Sequence, residues 1–220
     1  MKRLSNSILG FLVFMALSTV AFATDFSALK PPPGVKVTVV VFEDLECPSC
    51  AYAYPVFWEV AKAHNIPVVL HDFPLSKHPW SFRAAVYARF FDTQSQKLGE
   101  DFRGYIYKNQ PQIVPDNLDQ FVRKYADDNK VPLPFAVDPQ GKLKEKVQAD
   151  YELGLRLGLA ETPTIYVVGN GGASAPLVEH VKDTTQLSQT IEDMQRKAVA
   201  TPAPAPVKNA AVKPHKKKPS

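Results

Sequence analysis

The chain has 220 residues, with 26 basic and 22 acidic side chains and two cysteines, and a formal net charge of +4. That surplus sits at the ends: Lys2 and Arg3 lie in the first three residues and five lysines in the last twenty, so residues 24–200 hold 19 basic against 22 acidic groups, a net of −3. A mildly acidic body gives no electrostatic footprint for nucleic acid, so no nucleic-acid partner is expected. Its length suits one substantial domain.

Residues 1–23 read as a secretory signal. Met1-Lys2-Arg3 is a basic start, residues 8–17 are apolar, and Ala21-Phe22-Ala23 is an A-x-A cleavage site. The competing reading is an uncleaved anchor, but the apolar stretch is short of the ~20 residues that a spanning helix needs. No cysteine follows it, which argues against a lipoprotein anchor. An exported, extracytoplasmic protein is expected, in a compartment where disulfides persist.

The strand signal begins at Val35, where Val37-Thr38-Val39-Val40-Val41-Phe42 reads as a strand buried on both faces. Glu43 to Glu46 reads as the turn after it. Pro48 suits the first position of a helix, because its missing N–H is not needed there. This helix carries Cys50, Tyr54, Phe57, Trp58 and Ala61, with Pro55 inside it. Val68 to Phe73 reads as a second strand, and strand–helix–strand implies parallel pairing.

Helical texture follows from Pro79 to Gly158. One helix covers Trp80 to Phe91 and a shorter piece Asp101 to Lys108. A third follows Asp116 as N-cap, with Leu118, Phe121, Val122 and Tyr125. A fourth starts at Asp138-Pro139, with Leu143, Val147, Tyr151 and Leu155 on one face and Gly158 at its end. Strands resume at Thr164 to Val168 and Leu177 to His180, joined through Gly169-Asn170-Gly171-Gly172, and residues 184–197 form a closing helix. About 80 residues between strands are too many for a loop, so they read as an inserted subdomain. The expected fold is α/β: a mixed four-stranded sheet flanked by helices, with an all-helical insertion over about 79–158. Residues 201–220, rich in Pro, Ala and Lys, read as a disordered tail. Its lysines suit a solvated tail or a contact with anionic lipid or cell-wall polymer.

The only two cysteines stand three apart in Cys47-Pro48-Ser49-Cys50. The loop that such a pair closes is too short to remove much chain entropy, so it is a poor staple. It suits exchange chemistry, where one sulfur attacks and the other releases the product. Half of a zinc site and an inert structural disulfide are the competing readings. Cys47 falls just before a helix N-terminus, where free N–H groups and the helix dipole lower a thiol pKa from about 8.5 to between roughly 3.5 and 7.5. Cys50, one turn inside, is expected to be more buried and less acidic. Cys47 is therefore read as the attacking sulfur and Cys50 as the resolving one. Ser49 brings no charge, so less thiolate stabilisation is expected than a histidine there would give.

Glu43, Asp44 and Glu46 flank the pair. Solvated loop acids are one reading; a proton shuttle to Cys50, with Glu43 as the candidate, is the other. His71 and His78 are candidate bases, or packing residues. Thr162-Pro163 directly before a strand suits a cis peptide.

Residues 39–50 resemble the strand–turn–CPxC signature of DsbA-like thioredoxin-fold proteins. Pro55 matches the helix-kinking proline of that superfamily. His71-Asp72-Phe73-Pro74-Leu75 with His78-Pro79 resembles the second strand and its exit, and Thr162-Pro163-Thr164 the cis-proline loop. The resemblance covers about residues 35–197. It implies an exported thiol–disulfide oxidoreductase needing no cofactor or metal, with Cys47 as nucleophile, Cys50 as resolving cysteine and the Pro48-Ser49 dipeptide tuning the pair. Pro163 would face the disulfide, and Thr162 would bind the substrate backbone by strand addition. Two departures stand out: Ser49 replaces the His or Tyr of many relatives, and Val41 occupies the place of the buried acid that some carry six residues before the first cysteine.

The implied partners are exported cysteine-containing proteins and a membrane or soluble redox partner. About ten residues between the signal and the first strand leave no room for the dimerisation domain of bacterial disulfide isomerases, so a monomer is expected. An oxidant is the leading reading. A reductase of the same fold, a chaperone or peptide-binding protein, and more distantly a glutathione-conjugating transferase are the alternatives.

Overall fold

The structure is a computed structural model that describes residues 24–172 and 175–198. The signal sequence and the basic tail read above lie outside the described residues.

Four strands form one mixed sheet in the order β2-β1-β3-β4, with β1 at Val37–Glu43, β2 at Val68–Asp72, β3 at Thr164–Gly169 and β4 at Leu177–Val181. β1 runs parallel to β2, and β3 is antiparallel to both β1 and β4. All seven residues of β1 are buried, because the strand is central and both of its faces are covered. Val37, Val39 and Val41 pack with Phe57 and Ala61 of helix α1 (Pro48–Ala63) and with Leu187, Ile191 and Met194 of helix α6 (Leu187–Lys197). Val40 and Phe42 point the other way, onto Leu29, Phe73, Leu157, Tyr166 and Val168. The period-2 alternation of a strand thus feeds two cores, each large apolar side chain contributing roughly 1.5–3 kcal/mol.

Between β2 and β3 lie four helices: α2 (Ser81–Gln94), α3 (Gln96–Asn109), α4 (Leu118–Asp128) and α5 (Lys142–Arg156). Ala84, Ala88, Phe91, Phe102, Ile106, Leu118, Val122 and Tyr125 build their core, and Leu45, Cys47 and Cys50 belong to the same cluster. The redox-type motif therefore sits at the seam between the sheet and the helical block. Thr162-Pro163 is a cis peptide, and the sheet with its flanking helices is the thioredoxin fold.

Several local expectations are corrected. The helix expected over Asp101 to Lys108 is a full turn longer, starting at Gln96, because Ser95 caps it by accepting from the Leu98 N–H at 3.1 Å. Gly99 weakens the sequence signal, yet its bare Cα is needed there: a Cβ would collide with the Asp92 carboxylate. Asp116 is not a cap; α4 starts after Asn117, whose side chain instead bonds the Val114 N–H and the Gln112 carbonyl. Asp138 does serve α5, accepting from Leu143 and Lys144, although the helix begins only after Gly141. Leu155 is exposed, while Leu143 and Val147 are buried as expected. The closing helix starts at Leu187, preceded by a 3-10 turn over Thr184–Gln186.

Candidate active site

Cys47 is the N-cap of α1, with extended backbone (φ −83°, ψ 120°), and Pro48 follows at the first helical position. Pro48 and Ser49 are exposed, whereas Cys47 and Cys50 are 7% and 2% exposed and both free. The Cys47 thiol donates to the Thr162 carbonyl at 3.3 Å. This contact joins the start of α1 to the cis Thr162-Pro163 loop across 115 residues of chain. The Thr162 hydroxyl is itself buried without a hydrogen-bond partner.

The two sulfurs have opposite proton affinities. Cys47 is pulled down to about 5, first by the hydrogen bond from the Cys50 thiol and then, against the cost of burial, by the Thr162 side chain and the N–H groups of Cys50 and Ser49. Those donors are the free N–H groups of the first helical turn. Burial pushes Cys50 well above the ordinary thiol value, and the neighbouring Cys47 charge adds to the rise. The Asp44 N–H lies 3.5 Å from the Cys50 sulfur.

The acids beside the motif are not solvated loop residues, which corrects that expectation. Glu43 and Asp44 are 2% and 1% exposed, and Glu46 is half-buried. Asp44 is a fully used junction: Oδ1 accepts from the Glu46 N–H at 2.8 Å and the Ser81 hydroxyl at 2.5 Å, and Oδ2 from the Leu75 N–H and His78 Nδ1, both at 2.7 Å. Glu46 accepts from the N–H groups of Trp80 and Ser81 at the start of α2. The turn before Cys47 is thereby fastened to the entrance of the helical block.

Glu43 closes β1 and lies against α3. Arg103 Nε is 2.9 Å from its Oε1, and the Tyr107 hydroxyl donates to its Oε2 at 2.9 Å. Arg103, 1% exposed, also holds the Asp92 carboxylate through two bonds of 2.8 and 3.0 Å and lies 3.8 Å from Asp72. Arg89 joins Asp72 to Asp150. Burial pushes Glu43 up to about 7 despite the nearby Arg103 cation. His78 is one side chain from the site, on Asp44. His71 stacks on Phe42 at 4.8 Å and bonds Asp150 at 2.6 Å, so its contacts are those of a packing residue. Among the described residues no three His, Cys, Asp or Glu side chains converge as a metal ion requires.

Sequence reading missed Arg103 and Tyr107. Their signal is position: 99, 102, 103, 106 and 107 share the buried face of α3. An arginine on such a face must have a buried acid to meet.

Residues 33–197, three quarters of the chain, match the family model described as Thioredoxin. A comparison with curated protein sequences returns no match. Among solved structures, Wolbachia pipientis alpha-DsbA1 superposes with a TM-score of 0.61 at 16% identity, over 76% of this chain and 89% of that one. The catalytic domain of Proteus mirabilis ScsC gives 0.58 at 19% identity, over 76% and 88%. Pseudomonas aeruginosa DsbA2 gives 0.51 at 18% identity, over 73% and 90%. At these identities the structures speak for the fold; with the family match and the Cys47–Cys50 spacing, they show that the chain belongs to the thioredoxin family, with the fold of the DsbA and ScsC proteins.

Proposed function

We propose that this protein is an exported thiol–disulfide oxidoreductase that works as an oxidant, passing the Cys47–Cys50 disulfide to cysteine-containing exported proteins. The observation that carries the reading is the split between the two sulfurs. Cys47 is held near 5 at a helix N-terminus, whereas burial raises Cys50 well above an ordinary thiol. A stabilised Cys47 thiolate favours the reduced pair, which makes the disulfide a stronger oxidant.

In the oxidising direction a client thiolate attacks the Cys47 sulfur. The client–Cys47 bond forms, the Cys47–Cys50 bond breaks, and Cys50 leaves with the electron pair and takes up a proton. Glu43 is the candidate donor of that proton, and the Asp44 N–H faces the departing sulfur. A second client thiolate then attacks the client sulfur of the mixed disulfide. A client disulfide forms, and Cys47 leaves as its stabilised thiolate. Two electrons have passed from the client to the pair, and a separate redox partner must remove them. The Thr162 carbonyl, which accepts from the Cys47 thiol, supports a client-binding role for Thr162 and Pro163, the extended client backbone adding there as a strand. The protein acts in an extracytoplasmic compartment, in keeping with the signal-like N-terminus.

Oxidative refolding of a reduced, disulfide-dependent substrate tests this. The wild type accelerates recovery of activity and Cys47→Ala abolishes the acceleration. Full activity of Cys47→Ala overturns the proposal and leaves a chaperone or peptide-binding role.

A further inference from the structure

Two carboxylates flank the reactive sulfur along the chain. Glu46 is the residue before Cys47, and Glu161 is the residue before Thr162, whose carbonyl lies 3.3 Å from the Cys47 sulfur. Glu46 is held from both ends. Its N–H donates to Asp44 Oδ1 at 2.8 Å, and its Oε2 accepts from the Trp80 and Ser81 N–H groups at 2.8 and 3.1 Å. Both of those bonds fall on one oxygen. Oε1 accepts nothing among the described residues, and the side chain is only half-buried. Glu161 is exposed, and its carboxylate takes no hydrogen bond or ion pair among the described residues. No described lysine or arginine pairs with either acid. The base that bears on Glu46, His78, is itself bonded to Asp44 through Nδ1.

A second observation marks the same place as incomplete. Thr162 is 8% exposed, and its hydroxyl is buried without a hydrogen-bond partner. That side chain bears on the Cys47 sulfur. An unpaired buried hydroxyl is costly, so it marks a point that a bound chain completes.

We propose that Glu46 and Glu161 set the choice of client, selecting chains that carry lysine or arginine beside the cysteine to be oxidised. This rests on the function proposed above and names the client chemistry of that same site. An extended chain advances about 3.3 Å per residue. With the client sulfur bonded to Cys47, the residues next to the client cysteine therefore pass the neighbours of Cys47 and Thr162. A carboxylate fixed there attracts a client cation and repels a client acid. The net of −3 over residues 24–200 acts in the same direction at longer range. The exchange step keeps its balance: the client thiolate attacks the Cys47 sulfur, the client–Cys47 bond forms, the Cys47–Cys50 bond breaks, and Cys50 leaves with the electron pair and takes up a proton.

The test uses the oxidised full chain with an excess of three thiol peptides, alike except that lysine, serine or glutamate flanks the cysteine. Quenched flow at pH 8 gives the rate constant for opening of the Cys47–Cys50 disulfide. Each value is divided by the same peptide's rate with hydroxyethyl disulfide, which removes the effect of the flanking charge on the peptide thiol itself. In the wild type at about 20 mM salt the lysine peptide exceeds the glutamate peptide by about tenfold, with serine between them, and the ratio falls to about twofold at about 500 mM. Glu46→Gln keeps an amide oxygen that can accept from Trp80 and Ser81. It and Glu161→Gln each lower the low-salt ratio to about threefold, and the double variant brings it to about one. A change in Cys47 reactivity common to all three peptides cancels in the ratio. A wild-type ratio of one or below, a ratio indifferent to salt, or a ratio that either variant leaves at the wild-type value overturns the proposal. If none of the peptides opens the disulfide, it is the proposed function that fails.

Discussion

The sulfur of Cys47 and the carbonyl oxygen of Thr162 lie 3.3 Å apart, although 115 residues separate them in the chain. One residue caps a helix and the other opens a cis Thr-Pro bond, so two breaks in regular structure meet at one point. The Thr162 hydroxyl beside them has no hydrogen-bond partner, and the Thr162 side chain favours the Cys47 thiolate. Thr162→Val removes that hydroxyl at nearly constant shape. It is expected to raise the Cys47 pKa from about 5 by roughly one unit, read from thiolate absorbance against pH. An unchanged titration contradicts a part for the Thr162 side chain in stabilising the thiolate.

Separate roles for the cysteines predict different trapped species. Cys50→Ala leaves Cys47 unable to be displaced from within, so client proteins accumulate as mixed disulfides on Cys47. Cys47→Ala exposes only a buried thiol of raised pKa and accumulates none. Non-reducing gels of the two variants after incubation with oxidised client distinguish them; equal trapping by both contradicts the assignment.

Stability of the reduced protein should depend on pH through Cys47. Its folded pKa of about 5 lies below the unfolded thiol value of 9.0, so the folded state binds fewer protons between those limits. Its stabilising contribution is full above about 9 and is lost as pH falls towards about 5. The disulfide form has no such group. Denaturant midpoints of the two forms should therefore diverge in favour of the reduced form from pH 5 to pH 8. A gap that does not change with pH contradicts the low Cys47 pKa.

Arg103 is the buried cation shared by Glu43, Asp92 and Asp72. Arg103→Leu leaves buried acids unpaired, and a loss of about 3–5 kcal/mol is expected. Lys97→Ala, which breaks the exposed Lys97–Asp101 pair, should change stability by less than about 1 kcal/mol. Urea unfolding of both variants checks the contrast; similar small losses would mean that Arg103 is not holding the seam.

The residues that carry the site differ in how far they could be read from sequence. The β-branched run of β1, the Pro48 helix start and the Cys47–Cys50 spacing are local signals, so the fold and the motif were legible. The cis form of Thr162-Pro163 was legible only beside the strand that follows it. Burial of Glu43 and Asp44 was not, because it depends on Arg103, Tyr107, Ser81 and His78 arriving from 34 to 64 residues away. Leu155 was misplaced because helical period alone does not say where a face runs out of partners.

The reduction potential of Cys47–Cys50, measured against glutathione at pH 7, tests the central claim most directly. Stabilisation of the Cys47 thiolate predicts a value on the oxidising side of glutaredoxin-like couples, between about −120 and about −200 mV. The uncharged Ser49 places it below the −120 mV end, which is about where DsbA itself stands. A value near about −270 mV, that of thioredoxin, would contradict the oxidant reading and make the protein a reductase.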